Sequence, residues 1–436
     1  MKEKTTFTNK LGFVLASVGS AVGMGNIWMF PYRLGTYGGA AFLLPYIFFV
    51  ILFGAVGLSG EFALGRLTGT GPIGAYEYAM KTKGKRGGSV LGAIPLLGSL
   101  GIAIGYAIIV GWALRFLVGA ITGDMFRTES SEYFSQITGA FGSIAWHMIV
   151  ICIAAIALTA GVITGIEKVS KFMMPAFYIL FIILAVRVAF LPGAVEGYRY
   201  ILIPRWEYLL QPETWIMAMG QAFFSLSITG SGMIIYGSYL DKKENIVHSA
   251  GMTALLDTCA SMLAGFAIIP AVFAFGMDPA SGPPLMFITI PKIFGLMPMG
   301  ELFGAFFFLS VLFAGVTSLI NLFEVCSEAI QSRAKVKRIP SIILIAAVVF
   351  AVGVFLEYEP YMGKWMDMIT IYVVPIGAVL GAIMIYWVLG KEKIGAELNL
   401  GRKKPLGNGF FWIAKYFYVL LAGAVVILSI IYGGIG

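Results

Sequence analysis

The stretch Gly19-Ser-Ala-Val-Gly-Met-Gly-Asn-Ile-Trp-Met-Phe-Pro-Tyr32 places three glycines, Gly19, Gly23 and Gly25, near the centre of the first apolar segment. Each glycine weakens a helix interior by about 1 kcal/mol relative to alanine. A second stretch, Phe223-Phe-Ser-Leu-Ser-Ile-Thr-Gly-Ser-Gly232, interrupts the sixth apolar segment in the same way. A helix that breaks inside a bilayer leaves N–H and C=O groups that lipid cannot satisfy. Two such breaks therefore predict a secondary transporter, in which ions or a polar substrate satisfy those groups.

The composition of the chain is that of a membrane protein. Hydrophobic residues make up 59% of the 436 residues and charged residues 12%, whereas soluble domains carry about 25% charged residues. Eleven apolar segments are long enough to span a bilayer. They cover residues 10–36, 39–65, 89–122, 141–163, 171–191, 214–239, 249–277, 301–331, 340–357, 365–389 and 410–432. We therefore expect an all-α polytopic membrane protein with 11 transmembrane helices in one domain, residues 1–436.

The basic residues predict how the chain is oriented. The N-terminal tail and every second connection between the segments together hold 21 of the 30 Lys and Arg residues. The positive-inside rule then places the N-terminus in the cytoplasm and, after eleven spans, the C-terminus outside the inner (plasma) membrane. Because these charges are scattered over six short regions, they do not indicate a nucleic-acid site. Three cysteines, Cys152, Cys259 and Cys326, lie in predicted spans and are expected to be free thiols.

The order of the spans predicts an internal repeat. Spans 1–5 (about residues 10–191) and spans 6–10 (about residues 214–389) each begin with a glycine-broken helix. Since five is odd, the second set starts from the opposite face of the membrane, and the two sets are predicted to be inverted repeats whose breaks meet near the midplane. Span 11, about residues 410–432, lies outside the repeat.

The first break offers ligands for both a cation and an anion. Asn26 supplies a side-chain oxygen suited to a hard cation. The carbonyl groups that end the inner half-helix are free to coordinate as well, those of Gly19, Ala21 and Val22. The amides of Met24 and Gly25 begin the outer half-helix, whose positive dipole end favours a carboxylate. Packing of a Gly-x-x-x-Gly motif is the alternative explanation, but it accounts for neither Gly25-Asn26 nor the second break.

Four motifs resemble the neurotransmitter:sodium symporter family. They are Ala21-Val-Gly-Met-Gly-Asn-Ile-Trp-Met-Phe-Pro-Tyr32, Gly38-Gly-Ala-Ala-Phe42, Gln221-Ala-Phe-Phe-Ser-Leu-Ser227 and Ala314-Gly-Val-Thr-Ser318. The resemblance runs through spans 1–10 and implies a leucine-transporter-like fold with broken helices 1 and 6. It also implies sodium-coupled import of a neutral amino acid, hydrophobic or aromatic, by alternating access. We accordingly expect two Na⁺ sites, no chloride requirement, and a monomer or homodimer in the lipid bilayer.

The resemblance implies a set of substrate-binding residues. The set consists of Ala21, Met24, Gly25, Ile102, Tyr106, Phe224, Ser225, Ser227, Gly230, Ser318 and Leu322. In it the Tyr106 hydroxyl binds the substrate carboxylate and Phe224 closes over the substrate, although a tyrosine in a span is otherwise often an interfacial residue. Gly230 stands where several relatives carry a bulky side chain, which predicts a large apolar subsite. Alternatively, Gly230 simply belongs to the helix break.

The resemblance also implies two sets of sodium ligands. They are Gly19, Ala21, Val22, Asn26, Ser225, Asp257, Ala314, Thr317 and Ser318. Asp257 belongs to the first site, and a charge at the bilayer centre needs a partner because it costs about 2.5–3.5 kcal/mol. A carboxylate there would make chloride dispensable; alternatively, Asp257 lies near the cytoplasmic end of its span and is solvated. Thr317 and Ser318 belong to the second site, unless their hydroxyls only bond back to their own helix.

The gates depart from the family pattern. The candidate gate residues are Lys4, Phe7, Met29, Arg33, Asp367 and Glu328. Met29 occupies the position of the usual outer-gate arginine, so Arg33 is the candidate partner of Asp367. On the inner side the usual acid is replaced by Ser332, and Glu328 is the candidate substitute.

The rival functions are an intramembrane enzyme and an ion channel. The chain carries no Ser/His/Asp set, zinc motif or catalytic aspartate pair, and its broken repeats favour occlusion over conduction.

Overall fold

The computed structural model describes residues 6–278 and 285–435, and all regular structure within these residues is helical. This confirms the predicted all-α fold class. We keep the span numbers introduced above and call the end of the bundle at residue 10 the inner end and the opposite one the outer end. The charge pattern predicts that the inner end faces the cytoplasm.

The spans follow the predicted order. Spans 1 to 6 are Lys10–Ala21 with Gly25–Thr36, Ala40–Thr68, Gly88–Thr122, Ile144–Thr159, Val162–Ala189, and Pro212–Ser225 with Gly232–Ser238. Spans 7 to 11 are Ile246–Ala274, Gly300–Ala334, Arg338–Leu356, Glu359–Asn399 and Asn408–Ile431. Shorter helices in the connections are Pro72–Lys81, Asp124–Phe126, Ser130–Ile137, Ala194–Leu202, Trp206–Leu210 and Leu285–Leu296.

The number of membrane crossings is only partly settled by length and composition. Within the described residues, eight helices are long and apolar enough to cross a membrane, or nine when the bent pair of span 1 counts as one. Span 4 is apolar but shorter, and span 6 is divided into two short pieces. The chain is therefore a multi-pass membrane protein, while the exact count of eleven is not confirmed. The inverted relation of the two sets of five spans also stays a prediction.

Span 1 breaks where its glycines predicted. Asn9 caps the inner half-helix by accepting a hydrogen bond from the Gly12 N–H at 2.8 Å, and this half-helix ends at Ala21. The outer half-helix starts at Gly25 with a π-helical turn and is bent by 64° from the inner one. The break therefore redirects the chain and turns backbone groups toward the interior of the bundle.

Span 6 breaks over a longer stretch. Its outer half ends at Ser225 and its inner half begins at Gly232. Ser227 and Gly230 in between have positive φ angles of 52° and 74°, a conformation that is strained for residues other than glycine. The Ser227 hydroxyl donates to the Ser20 carbonyl at 3.2 Å, so the two breaks lie side by side.

Gly230 is fixed by its neighbours as well as by its φ angle. Its N–H donates to the Glu61 carboxylate at 2.7 Å, and its carbonyl accepts from the Tyr76 hydroxyl at 3.3 Å. A Cβ atom built on Gly230 would overlap the Gly377 carbonyl and lie 2.6 Å from the Tyr76 hydroxyl. Only glycine fits here without a shift of the backbone.

We therefore predict that Gly230→Ala lowers the free energy of unfolding by about 1–3 kcal/mol, because of the positive φ and the overlap with Gly377. Thermal unfolding of the purified protein in detergent measures this. Gly251→Ala is the matched control, because nothing lies within 4 Å of a Cβ at this helical position, and alanine there is expected to be neutral or stabilising. Equal melting temperatures for Gly230→Ala and the unsubstituted protein would contradict the conclusion that only glycine fits at position 230.

Candidate functional site

A cavity of about 190 Å³ lies between the two broken helices. Ten of the eleven residues of the predicted substrate-binding set line it, namely Ala21, Met24, Gly25, Ile102, Tyr106, Phe224, Ser225, Ser227, Ser318 and Leu322. They come from spans 1, 3, 6 and 8, and Met366 and Thr370 of span 10 complete the wall. The structure therefore brings together residues that are far apart in the sequence.

Gly230 is the member of the set that lies outside the lining of this cavity. Its backbone faces Glu61, Tyr76 and Gly377 instead. The prediction that the missing side chain at Gly230 enlarges an apolar subsite is therefore wrong. The alternative, that Gly230 belongs to the helix break, agrees with its φ of 74°.

Tyr106 and the first break form one polar end of the cavity. The Tyr106 hydroxyl accepts a hydrogen bond from the Met24 N–H at 2.9 Å, which leaves the hydroxyl proton free to be donated. Gly23 allows this approach, because a Cβ there would lie 2.6 Å from the Tyr106 oxygen. Beside Gly25 there is open space. A carboxylate that enters the cavity thus meets a hydroxyl donor and the N-terminal end of a half-helix.

Asp257 lies at the centre of the first predicted cation site. It is 0% exposed, so the alternative that solvent surrounds it is wrong. One of its carboxylate oxygens accepts from the Asn26 side-chain nitrogen at 2.8 Å, and the other accepts from the Ser225 hydroxyl at 2.6 Å. The structure thus brings three predicted ligands of this site, Asn26, Ser225 and the buried carboxyl group of Asp257, into contact.

The side-chain amide of Asn26 is turned the opposite way from the prediction. Its oxygen accepts from the Gly23 N–H at 2.9 Å, while its nitrogen faces Asp257. This nitrogen carries two protons but lies within 3.3 Å of four oxygens: the Ser225 hydroxyl, the Asp257 backbone oxygen and one carboxylate oxygen, and the Ser261 hydroxyl. Amide orientation is assigned from such contacts. A position surrounded by several oxygens suits a hard cation. With a cation bound there, the Asn26 amide would be turned so that its oxygen coordinates the ion.

The second predicted cation site is built from span 8 and the first break. The Ser318 hydroxyl lies 3.2 Å from the Gly19 carbonyl and 3.0 Å from the Val22 carbonyl. The Thr317 hydroxyl donates within its own helix, to the carbonyls of Phe313 at 2.9 Å and Ala314 at 3.1 Å. Such bonding of the hydroxyl within its own helix was the alternative to a role of Thr317 in cation binding. The hydroxyl oxygen nevertheless keeps lone pairs that can coordinate a cation. Five predicted oxygen ligands, those of Gly19, Val22, Ala314, Thr317 and Ser318, therefore lie in one region.

Two side chains outside the predicted binding sets, Glu61 and Gln221, hold the breaks in place. Glu61 of span 2 is 1% exposed and accepts the Gly230 N–H. Gln221 donates to the Gly25 carbonyl at 3.1 Å and so joins span 6 to span 1. The signal for Glu61 was available, because a carboxylate in an apolar span marks a functional position just as Asp257 does.

The outer gate is not the predicted ion pair. Arg33 is buried and donates to the Ile435 carbonyl at 2.7 Å and the Met217 carbonyl at 3.2 Å. Asp367 is exposed, and in the described part of the chain no ion pair includes it. The prediction that Arg33 pairs with Asp367 is therefore wrong, because the guanidinium is held by carbonyls of the C-terminal segment and of span 6. Met29 lines the cavity.

The predicted inner-gate residues lie at the inner end of the bundle. Lys4 falls outside the described residues. Phe7 is buried and packs edge-on against the rings of Phe13, Tyr236 and Tyr239, with centroids 5.5, 5.9 and 6.2 Å away. Glu328 is half-buried and lies beside Gly71.

An ion pair near these residues was missed from the sequence. Glu324 of span 8 accepts from Arg338 at 2.7 and 3.0 Å and from the Tyr239 hydroxyl at 2.5 Å. A second pair joins Arg333 to Glu77 at 2.5 Å. Lys81 and Arg333 hold the pKa of the Glu77 carboxyl below its usual value by hydrogen bonding and charge. These contacts tie the inner ends of spans 6, 8 and 9 and the helix Pro72–Lys81 together.

Comparison with known proteins identifies the family. The model of the sodium:neurotransmitter symporter family matches residues 4–138 and 124–435 of the chain. The chain belongs to this family. The resemblance found in its motifs is thereby confirmed, and the enzyme alternative is excluded because the family consists of sodium-coupled transporters.

Relatives and solved structures agree with this assignment. The symporter is 35% identical to the sodium-dependent transporter YhdH of Bacillus subtilis, over 98% of this chain and 97% of that protein. It is 24% identical to the sodium- and chloride-dependent GABA transporter 2 of Rattus norvegicus, over 99% of this chain and 80% of the relative. The crystal structure of MhsT in complex with L-phenylalanine matches with a TM-score of 0.86 and 30% identity, covering 98% of this chain and 99% of that one. The symporter therefore has the fold of MhsT, which is the leucine-transporter-like fold.

Proposed function

We propose that this sodium-dependent symporter imports a neutral amino acid with a hydrophobic or aromatic side chain. The observation that carries the proposal is the composition of the cavity. Oxygen atoms suited to bind a cation and the Tyr106 hydroxyl lie together at its wall. Apolar side chains, among them Ile102, Phe224 and Leu322, form much of the remaining wall. The complex of MhsT with L-phenylalanine supports the same substrate class.

The two charged groups of an amino acid have complementary partners in this cavity. Its carboxylate would lie at the N-terminal end of the half-helix Gly25–Thr36, within reach of the Tyr106 hydroxyl. Its ammonium group would lie near the C-terminal end of the half-helix Pro212–Ser225, where the negative end of the helix dipole favours a cation,. The proposal thus uses both broken ends, and a neutral zwitterion leaves no net charge to bury.

Two sodium ions are proposed to be transported with the substrate. The group around Asp257, Asn26 and Ser225 is the first site, and the group around Ser318, Thr317 and the Gly19 carbonyl is the second. The atoms that would coordinate sodium are all oxygens, as a hard cation requires. Both groups include backbone or side chains of the first break, so sodium binding would order the same segment that binds the substrate.

We further propose that transport does not require chloride. Some relatives, such as the GABA transporter 2 of Rattus norvegicus, are chloride-dependent by name. In this chain the buried carboxylate of Asp257 already supplies one negative charge beside the first sodium site. In a medium of low dielectric a balanced pair of charges is far cheaper than a single one.

Transport would proceed by alternating access in the plasma membrane. The two sets of five spans, residues 10–191 and 214–389, would act as inverted repeats that rock around the cavity,. The N-terminus would lie in the cytoplasm and the C-terminus outside. The chain would work in the lipid bilayer as a monomer or homodimer.

The proposed function predicts saturable, sodium-dependent uptake of L-phenylalanine or another large neutral amino acid by proteoliposomes that contain the purified protein. An inward sodium gradient should drive accumulation, because the oxygen groups at the breaks need a cation before the substrate site is ordered. Replacement of sodium by potassium or choline is the control. Equal uptake in all three salts, or a flux that does not saturate with substrate, would contradict the proposal.

Asp257→Asn should weaken sodium binding by at least tenfold, since it removes the charge that compensates the cation and keeps a side-chain oxygen. Sodium titrations of amino-acid binding, in chloride and in gluconate, measure the change. In the unsubstituted protein the two anions should give the same sodium affinity. Asp241→Asn, at an exposed position in the connection after span 6, is the matched control and should leave the affinity unchanged. Unaltered sodium affinity in Asp257→Asn would remove this residue from the ion site.

A further inference from the structure

The inner part of the cavity carries polar side chains that bind neither the proposed sodium ions nor the charged groups of the proposed substrate. Asn321 is 3% exposed and lines the cavity together with Thr229 and Gly232. None of these three residues belongs to the predicted substrate-binding set. Burial of an amide and a hydroxyl beside apolar side chains is costly unless hydrogen bonds compensate. Their presence therefore calls for a partner in the cavity or nearby.

The antiparallel packing of spans 3 and 8 shows the level at which Asn321 lies. Close approaches of Gly304 to Ala120 and of Gly315 to Val110 set the register between the two helices. By the same register Ser318 lies level with Tyr106, and Leu322 lies level with Ile102. Asn321 is thus almost one helical turn further inward than Ser318. A substrate whose carboxylate is bound at Tyr106 would extend its side chain toward Ile102, Asn321 and Leu322.

The hydrogen-bonding capacity of this inner part is only partly used. The Asn321 side-chain nitrogen donates to the Gly232 carbonyl at 3.2 Å. A primary amide offers two N–H donors and an oxygen with two lone pairs, so one N–H and the oxygen can still form hydrogen bonds with a ligand. The Thr229 hydroxyl lies 2.8 Å from that of Ser231, which is 2.6 Å from that of Ser99.

We propose that Asn321 and Thr229 select an aromatic amino acid whose ring carries a hydroxyl group at its tip, so that L-tyrosine is preferred to L-phenylalanine. A phenol both donates and accepts a hydrogen bond, as the amide of Asn321 and the hydroxyl of Thr229 do. The ring itself packs between the apolar side chains of Ile102 and Leu322. This inference rests on the proposed function and names the substrate of the same site.

The experiment is competition of L-tyrosine and L-phenylalanine for sodium-dependent binding to the purified full-length symporter. One additional hydrogen bond predicts that L-tyrosine binds roughly three- to tenfold more tightly than L-phenylalanine. Asn321→Leu removes the polar group and fills its space, and should reduce this ratio to about one or below, with phenylalanine affinity kept or increased. Thr229→Val should reduce the ratio to a smaller extent.

The ratio of the two affinities separates recognition from a structural role. Asn321 also joins span 8 to Gly232, and loss of that bond alone would weaken both amino acids equally. Thr253→Val is the matched control, because Thr253 is buried in span 7 and bonds only to its own helix, at the Ser249 carbonyl 3.0 Å away. It should leave the ratio unchanged.

Three results would overturn the inference. The first is equal affinity for the two amino acids, or a preference for L-phenylalanine, in the unsubstituted protein. The second is a preference for L-tyrosine that persists in both Asn321→Leu and Thr229→Val. In both cases sodium-dependent binding of L-phenylalanine would leave the proposed function intact. The third is the absence of sodium-dependent binding of either amino acid, which would overturn this inference and the proposed function together.

Discussion

The structure depends on one constraint, which is that backbone groups freed by a broken helix inside a membrane must find partners within the protein. The protein supplies such partners from three spans. Gln221 satisfies the Gly25 carbonyl, Glu61 satisfies the Gly230 N–H, and Ser318 approaches the carbonyls at the end of the inner half of span 1. Each of these bonds also joins one span to another. The breaks are consequently the centre from which the packing of spans 1, 2, 6 and 8 is organised.

The same constraint explains why the site is suited to ions. Four oxygen atoms lie within 3.3 Å of the Asn26 side-chain nitrogen, and the carbonyls of Gly19 and Val22 converge on the single proton of the Ser318 hydroxyl. A protein that only needed to close the breaks would pair each acceptor with a donor, because unpaired buried acceptors are costly. Sodium supplies positive charge without a proton and accepts several oxygens at once. The proposed sodium sites therefore follow from the chemistry of the first broken segment and the spans that pack against it.

The sequence was sufficient for the features that depend on local composition. Glycine clusters predicted both breaks, and the resemblance to the symporter family predicted the shared site of Tyr106, Phe224 and Ser318, which line one cavity. The errors concern contacts between distant segments. Gly230 faces the carbonyl of Gly377, and Arg33 is held by the carbonyl of Ile435. No local pattern reveals which remote backbone group a side chain will reach. The spacing of Asn321 places it on the same face of span 8 as Ser318 and Leu322, but the sequence does not show which ligand group that amide would meet.

The central claim is that sodium and the substrate satisfy and order the two broken segments. Hydrogen–deuterium exchange of the purified protein tests it most directly, with peptides that cover residues 19–32 and 223–232 compared in sodium and in potassium. The account predicts slower exchange of both segments in sodium, a further decrease when an aromatic amino acid is added, and no change in the helix Ser130–Ile137,. Identical exchange of the two broken segments in sodium and potassium would contradict the account.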